Sequence, residues 1–483
     1  MAVVEPKHIL LVSSPLYGHA IPLLHLGVKL THHHHVTFAV AENTLKTLRG
    51  EIAHVEYGVY GPVHLTGIQT VANLPDKHKG VDFKYGNPAR KLFEGFLPVM
   101  REFFLSVPVN VNGTPSETNE TVKPKLFTLE GEGIFKPIDV VMADNFLGGP
   151  LSLMHSRGVP FYLFNSSRSW LALAFLTLDV EDPESFKLSA KCTPNFVRRS
   201  VGSKFLDINL EANKDLLMDN CHNMHLASGI VVNGVREAED SVIAEILRHE
   251  KMGKMRTFCV SPLAAESVKQ PTMKKPEEEV TKKWLDRQQN ESVVYVSFGS
   301  IAVPIPEEIK EIGEALLLLQ APFIWSLKPE HYAHLPAKLQ AAMQIGTDPV
   351  SLDFLIVPWA PQKEILAHPA TKVFVTHCGW NSALETLTYG VPVVAWPMFA
   401  DQLINAEWLE EEGVGKLIRG TGLMRQRIVP GEEIASVLRE VMGVEEGKEN
   451  SYTKAVRNWQ RKIRTALDVG GTSYQELAEL VKL

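Results

Sequence analysis

Cysteine is scarce in this chain of 483 residues, which has only Cys192, Cys221, Cys259 and Cys378. These residues form no Cys-x-x-Cys pair and no metal-ligand spacing, so the sequence predicts neither a disulfide framework nor a metal centre. Basic charge is not in excess, because 49 lysines and arginines face 56 acidic residues, giving a net charge of −7. That balance argues against nucleic acid as a partner.

Long apolar runs are also missing. The N-terminal run Ile9–Val12 is interrupted by Ser13, Ser14 and Pro15, so it is too short for the core of a signal peptide. No stretch approaches the roughly 20 apolar residues that a membrane-spanning helix needs. We therefore expect a cytoplasmic protein with free thiols and no membrane span.

The run His32–His35 raises the hypothesis of a metal site. Consecutive side chains point in different directions on a helix or a strand, so these four do not converge on one ion. We interpret the run as a solvated connector between a helix and the strand VTFAV.

The length of the chain exceeds what a single core usually supports, which predicts two domains. Apolar strands at 8–14, 36–40, 138–146, 159–164 and 229–234, with a helix from His19 to Leu30, indicate a parallel α/β sheet. The polar, proline-bearing segment 261–283 is typical of a linker. A second strand and helix series starts at 292–300. We therefore expect a first domain over 1–260, a linker over 261–283 and a second domain over 284–460.

A glycine-rich fingerprint is absent from the first strand-to-helix turn. Enzymes that bind NAD on such a sheet carry Gly-x-Gly-x-x-Gly there. This absence weakens the hypothesis of a dehydrogenase or epimerase, which stays open as an alternative, as does a catalytically silent binding protein.

The block from Trp359 to Gln402 carries the most information. A short strand, 373–376, leads into His377, Gly379, Trp380, Asn381 and Ser382, and a helix is predicted to begin near Asn381 or Ser382. A helix N-terminus binds phosphate oxygens through its backbone N–H groups and its dipole. Ser382 and Glu385 also fit a helix capping box, in which Glu385 would only satisfy backbone donors.

This block closely resembles the nucleotide-sugar signature of plant family-1 UDP-glycosyltransferases. The resemblance implies the GT-B fold, two Rossmann-like domains with doubly wound parallel sheets that face each other across a cleft, and a final helix over 461–483 that returns to the N-terminal domain. It also implies that Trp359 stacks on uracil, that Gln362 and Glu385 hold the ribose, and that Trp380, Asp401 and Gln402 meet the sugar. The predicted donor site further includes Ser300, Ala360, His377, Gly379, Asn381 and Ser382.

A histidine and an aspartate follow two strands of the first domain. His19 comes just after the first strand, and Asp144 lies at the end of the strand at 138–146. A histidine is the best general base near neutral pH, and a carboxylate on its other ring nitrogen fixes the tautomer. The resemblance implies the same roles for the two residues, although this chain has Tyr17 where the family often has glutamine.

Together these features predict an inverting glycosyltransferase that moves glucose from UDP-glucose to a hydroxyl of a small lipophilic acceptor, such as a flavonoid or another phenol. Terpenoids, hormones and carboxylic acids stay open as acceptors, and Tyr17, Phe146 and Trp170 are candidate walls of the acceptor pocket. In the resembling family a terminal glutamine such as Gln402 usually accompanies glucose. We expect its amide to accept from the sugar and to donate to it. We expect a monomer without metal or cofactor, whose partners are the UDP-sugar and the acceptor.

Overall fold

The structure is a computed structural model that describes residues 5–53, 55–69, 88–111, 114–115, 127–129, 136–177, 223–248, 255–263, 276–343, 348–422, 426–443 and 450–483. Cys192, Cys221 and most of the predicted linker lie outside these ranges. The chain forms two compact units. The first comprises Met1–Pro271 and Thr465–Leu483, and the second comprises Thr272–Arg464.

The first unit contains an eight-stranded sheet in the order β10-β9-β8-β7-β1-β2-β3-β6. All neighbouring pairs are parallel except β3 with β6. Its strands are β1 (His8–Val12), β2 (His35–Ala41), β3 (His64–Ile68), β6 (Phe127–Leu129), β7 (Val140–Asp144), β8 (Phe161–Asn165), β9 (Gly229–Val232) and β10 (Arg256–Cys259), while β4 (Asn110–Val111) and β5 (Thr114–Pro115) pair separately.

Helices surround this sheet, and their apolar side chains bury its faces. They are α1 (Tyr17–Leu30), α2 (Leu45–Ile52), α3 (Pro88–Ser106), α4 (Gly148–Ser156), α5 (Ser169–Thr177), α6 (Arg236–Arg248) and, from the end of the chain, α15 (Thr472–Leu480). Leu480, Val481 and Leu483 belong to the same buried cluster as Ile9 and Leu11 of β1. The C-terminal segment is therefore part of the core of the first unit.

The second unit contains a six-stranded parallel sheet in the order β13-β12-β11-β14-β15-β16. Its strands are β11 (Val293–Ser297), β12 (Phe323–Ser326), β13 (Phe354–Val357), β14 (Thr371–Thr376), β15 (Val393–Ala395) and β16 (Gly415–Leu417). Its helices are α7 (Pro276–Leu285), α8 (Pro306–Leu319), α9 (Ala337–Ala342), α10 (Gln362–Ala367), α11 (Trp380–Tyr389), α12 (Gln402–Glu411), α13 (Gly431–Met442) and most of α14 (Ser451–Leu467). The order 3-2-1-4-5-6 is that of a Rossmann sheet, so the two parallel α/β units confirm the predicted fold class.

Two segments differ from the expectations. Residues 276–283 of the predicted linker form most of α7, which packs on β13 and α10 in the second unit. Its apolar anchors Trp284 and Leu285 are buried beneath an otherwise charged sequence. The predicted solvated connector is only partly solvated, because His34 is buried and its Nε2–H donates to the carbonyl oxygen of Val481 at 2.8 Å.

The strand order reverses at one strand in each sheet. In the first unit β1 lies between β2 and β7, and in the second β11 lies between β12 and β14. Ligands of open parallel sheets bind outside the carboxyl ends of the strands at such a reversal. The loops after β1 and β7, and those after β11 and β14, are therefore where the fold places candidate sites.

Candidate active site

A histidine and a carboxylate meet at the reversal point of the first sheet. His19, in the first turn of α1, has its Nδ1 2.8 Å from Oδ2 of Asp144, the last residue of β7. Asp144 is fully buried. Burial alone would raise the pKa of this carboxyl. The charge of His19 and the hydrogen bonds from His19, Ser14 and the Phe146 backbone outweigh it, so the pKa of Asp144 lies below its usual value.

Two serines complete this arrangement, and the sequence analysis did not identify them. The Ser14 hydroxyl donates to Asp144 Oδ2, and the Ser14 backbone N–H lies 3.3 Å from the same oxygen. Ser166 Oγ lies 2.9 Å from His19 Nδ1. Ser14 follows β1 and Ser166 follows β8, so the position after a strand was the available signal.

The predicted walls of the acceptor pocket fall into different environments. The Phe146 ring lies 5.1 Å from the His19 ring between centroids. The Tyr17 hydroxyl lies 2.9 Å from Thr47 Oγ1, and α1 begins at Tyr17, two residues before the predicted start. Trp170 is buried in the core. Phe146 is therefore the candidate that the structure places beside His19.

The loop after β14 leads directly into a helix N-terminus. Helix α11 begins at Trp380, one or two residues before the predicted start, and Gly379 is its N-cap residue. The capping-box alternative was wrong, because Ser382 is the third residue of the helix and Glu385 lies beyond the position that the motif requires. Glu385 instead accepts a hydrogen bond of 2.6 Å from Gln362 Nε2.

Two glycines enclose the ring of His377. A Cβ atom would lie 2.8 Å from His377 Nε2 at Gly299, and 2.7 Å from it at Gly379. Burial lowers the pKa of His377 to about 4, so the imidazole is neutral at pH 7. Its buried Nδ1 has no hydrogen-bond partner in the part of the chain that the structure describes. The ring therefore lies between Gly299 and Gly379, in the loop that leads directly into α11.

Gln362 and Glu385 form a polar pair over the sheet. Gln362 Nε2 also lies 3.1 Å from Ser382 Oγ, and the Tyr295 hydroxyl donates to Gln362 Oε1 at 3.3 Å. Tyr295 is buried in β11, which fixes the pair from below. Nearby in sequence, Trp359 is 43% exposed, whereas Ala360 is buried. Ser300, in the loop after β11, is exposed.

The side chains predicted to meet the sugar have fewer free hydrogen-bonding groups than expected. Gln402 Oε1 accepts from the backbone N–H groups of Met398 and Phe399 at 2.9 and 3.0 Å, which leaves only its Nε2 to donate to a sugar. The Trp380 side chain is buried against Trp408, so contact with a ligand would come from its backbone. Asp401 Oδ2 accepts from Asn405 Nδ2 at 3.0 Å.

Two absences characterise the residues that the structure describes. Within them, no group of three or more His, Cys, Asp or Glu side chains could hold a metal ion. Within the same ranges, no helix is long and apolar enough to cross a membrane. Of the four cysteines, Cys259 and Cys378 are free and buried.

Known proteins resemble this chain over nearly its whole length. Residues 265–456 match the family described as UDP-glucoronosyl and UDP-glucosyl transferase. The chain is 31% identical to anthocyanidin 3-O-glucosyltransferase 7 of Manihot esculenta over 53% of its own length and 82% of that protein. It is 27% identical to UDP-glycosyltransferase 72E1 of Arabidopsis thaliana over 99% of its length and 96% of that protein.

A solved structure shows the same fold. The crystal structure of Medicago truncatula UGT71G1 complexed with UDP-glucose superposes with a TM-score of 0.74 at 23% identity, covering 99% of this chain and 98% of that one. The chain belongs to the UDP-glucoronosyl and UDP-glucosyl transferase family, and it is a UDP-glycosyltransferase. The predicted family, GT-B fold and enzyme class are confirmed, and the dehydrogenase alternative was wrong.

Proposed function

We propose that this enzyme transfers glucose from UDP-glucose to a hydroxyl of a small phenolic acceptor, with inversion at the anomeric carbon. The observation that carries the proposal is the bond between His19 Nδ1 and the buried Asp144 carboxylate. The names of the relatives support a glucosyl donor and a phenolic acceptor, because one is an anthocyanidin 3-O-glucosyltransferase and a related solved structure was complexed with UDP-glucose.

The base follows from the hydrogen bonds of His19. A hydrogen bond from Nδ1–H to Asp144 leaves the Nε2 lone pair available to accept a proton. In the proposed step, Nε2 takes the proton of the acceptor hydroxyl while its oxygen attacks the anomeric carbon of glucose. The new carbon–oxygen bond forms as the bond to the UDP oxygen breaks, and UDP leaves with that electron pair. Asp144 stabilises the imidazolium that results.

The donor would be held by the residues of the second unit. We propose that Trp359 stacks on the uracil, that Gln362 and Glu385 bind the ribose hydroxyls, and that the α11 N-terminus, His377 and Ser300 meet the pyrophosphate. Asp401 and the Gln402 amide nitrogen would contact the glucose hydroxyls. UDP-glucose is then a co-substrate, and this scheme needs no further cofactor.

A donor competition tests the sugar. UDP-glucose, UDP-galactose, UDP-xylose and UDP-glucuronate are offered together with one phenolic acceptor, and kcat/KM is determined for each. A site that hydrogen-bonds an equatorial hydroxyl rejects a sugar that misplaces it by about 1–3 kcal/mol per unpaired group. We expect UDP-glucose to have the highest kcat/KM, and any other order would contradict the proposal.

An acceptor screen separates the remaining alternatives. Flavonoids, simple phenols, terpenoid alcohols and carboxylic acids are incubated with labelled UDP-glucose, and products are identified by mass spectrometry. We expect the phenols to be glucosylated fastest. Faster transfer to a terpenoid alcohol or a carboxylic acid would contradict the acceptor class and leave the enzyme class intact. A catalytically silent binding protein would bind UDP-glucose but release no UDP with any acceptor.

Replacement of the base tests the mechanism. His19→Ala should leave UDP-glucose binding intact and lower transfer to alkyl hydroxyls by roughly 10²–10⁴-fold, the usual contribution of a positioned base. Acidic phenols ionise more readily and should lose less. The exposed His33 near the end of α1 supplies the control His33→Ala, which should retain full activity. Full turnover by His19→Ala would rule out His19 as the base.

A further inference from the structure

A row of buried polar side chains follows the carboxyl ends of three neighbouring strands in the first unit. Ser166 comes directly after β8, Asn233 directly after β9 and Ser261 two residues after β10. All three are at most 5% exposed. Buried polar groups are costly unless they are hydrogen-bonded, so their partners define what this row does.

The row is a continuous chain of hydrogen bonds. The Ser473 hydroxyl in α15 donates to the Ser261 carbonyl at 3.0 Å, and the Ser261 hydroxyl donates to Asn233 Oδ1 at 2.7 Å. Asn233 Nδ2 donates to the Ser166 carbonyl at 3.4 Å, the longest link. Ser166 Oγ then lies 2.9 Å from His19 Nδ1. The chain therefore runs from the last helix to the proposed base.

Helix α15 is fixed independently at its middle and just after its C-terminal end. Glu476 accepts from Arg236 Nε and Nη2 at 2.7 and 2.8 Å and also from the Cys259 backbone N–H. The carbonyl of Val481 accepts from His34 at 2.8 Å. Because the helix is held by these contacts and by its apolar end, Ser473 is a fixed point from which the hydrogen-bond chain can extend.

The ring of His19 has two oxygen partners at one nitrogen. Asp144 Oδ2 and Ser166 Oγ both lie within hydrogen-bond distance of Nδ1. Asp144 alone would restrain Nδ1 but would leave the ring freer to tilt about that bond, and a second partner limits this motion. Misplacement of a reacting group by about 1 Å can cost roughly 10²-fold in rate.

We propose that Ser166 is a positioning residue for His19, and that α15 holds Ser166 in place through Ser261 and Asn233. The inference depends on the proposed function, in which His19 is the base. It assigns the C-terminal helix a role in positioning the base, although the hydrogen-bonded residues Ser473, Ser261 and Asn233 do not themselves contact His19.

The test is a double-mutant cycle on kcat, with an alkyl alcohol and a series of phenols of graded acidity as acceptors. One hydrogen bond corresponds to roughly a two- to tenfold change in rate. We expect Ser166→Ala to lower kcat about tenfold with the alcohol and Ser473→Ala to lower it two- to threefold, while KM for UDP-glucose is unchanged. Ser166→Thr, which retains the hydroxyl, should restore most of the rate.

Two features distinguish positioning from general destabilisation. The losses should shrink as the phenol becomes more acidic, whereas a partly unfolded enzyme loses the same fraction with every acceptor. Ser473→Ala should have no further effect in the Ser166→Ala background, because the chain is already broken there. The matched control is Thr472→Ala, which removes an exposed hydrogen bond of 2.8 Å to Glu237 in the same turn of α15 and should leave kcat unchanged.

Three results would overturn the inference. They are additive effects of the two alanine variants, a rise in the KM for UDP-glucose without a change in kcat, and equal losses with all acceptors. If Ser166→Ala does not fold, the test compares Ser473→Ala with Thr472→Ala. The inference then requires that only Ser473→Ala lowers kcat, and that this loss shrinks as the acceptor becomes more acidic. Failure of the proposed function can be distinguished from failure of this inference. If His19 is not the base, His19→Ala retains activity, whatever the serine variants do.

Discussion

Asp144→Asn is the substitution that probes the proposed dyad most directly. It keeps the shape of the side chain and removes the charge. Three donors converge on Asp144 Oδ2, namely His19 Nδ1–H, the Ser14 hydroxyl and the Ser14 backbone N–H, while Oδ1 accepts from the Phe146 backbone at 3.0 Å. An amide offers only one acceptor oxygen, so one of these two groups of donors must face an NH₂ group.

The magnitude follows from the two orientations of that amide. If its oxygen faces His19 and Ser14, the Phe146 N–H is left unpaired, at a cost of about 1–3 kcal/mol in the free energy of unfolding. The opposite orientation leaves three donors unpaired and turns the imidazole to the wrong tautomer. In both orientations the imidazolium loses its counter-charge, so we expect transfer to an alkyl hydroxyl to fall roughly 10²–10⁴-fold.

The assay measures single-turnover transfer together with thermal unfolding. Asp139→Asn is the control, because Asp139 directly precedes β7 and its carboxylate accepts from the His8 backbone and Asn110 Nδ2, both at 2.7 Å. We expect that variant to lose stability but to keep its rate when folded. A folded Asp144→Asn enzyme within threefold of the wild-type rate would refute the dyad, and so would an equal loss of rate in Asp139→Asn.

Three further predictions follow from other parts of the molecule. Burial lowers the pKa of His8 from 6.5 to about 4 in the folded state. The neutral imidazole therefore contributes about 3 kcal/mol to the free energy of unfolding above pH 6.5, and this contribution is lost as the pH falls toward 4. Thermal unfolding measured against pH should show this loss, and His8→Gln should reduce it. Gly379→Ala should displace His377 and raise the KM for UDP-glucose about tenfold, equivalent to one lost hydrogen bond, whereas Gly50→Ala, where a Cβ meets nothing within 4 Å, should have no effect. Transfer should survive EDTA, because a helix N-terminus meets the pyrophosphate in the proposed scheme, and activity that chelation abolishes and magnesium restores would contradict it.

The sequence predicted the two sheets well because parallel strands that are buried on both faces appear as β-branched apolar runs. It also placed Asp144 at the end of a strand and His19 shortly after the first strand, and the reversal of strand order brings these two positions together. It could not identify Ser14 and Ser166 as their partners, because the strand order β8-β7-β1 is set by the tertiary structure and cannot be inferred from local sequence. A serine after a strand has no distinguishing feature until its neighbour is known.

Burial by distant parts of the chain accounts for the other differences. The run His32–His35 was predicted to be a solvated connector because consecutive side chains point in different directions, yet His34 bonds to Val481, 447 residues away. The charged sequence of α7 was interpreted as a linker because only Val280, Trp284 and Leu285 mark its packed face. In both cases local composition was a poor guide, since a few apolar or hydrogen-bonding contacts outweighed many solvated charges.

The proposed donor site also contains strained backbone that composition cannot reveal. Cys378 and Ala400 have φ angles of +60° and +55°, which are unfavourable for residues with a side chain. Asn405 lies between them, and its Nδ2 donates to the Cys378 carbonyl at 3.1 Å and to Asp401 Oδ2 at 3.0 Å. One buried amide thus connects the loop before α11 to the loop before α12. Asn405 is a shared partner of both loops, which are held in unfavourable backbone conformations. We infer that the residues proposed for the pyrophosphate and for the sugar are therefore positioned together before the donor binds. This preorganisation lowers the entropic cost of binding the donor.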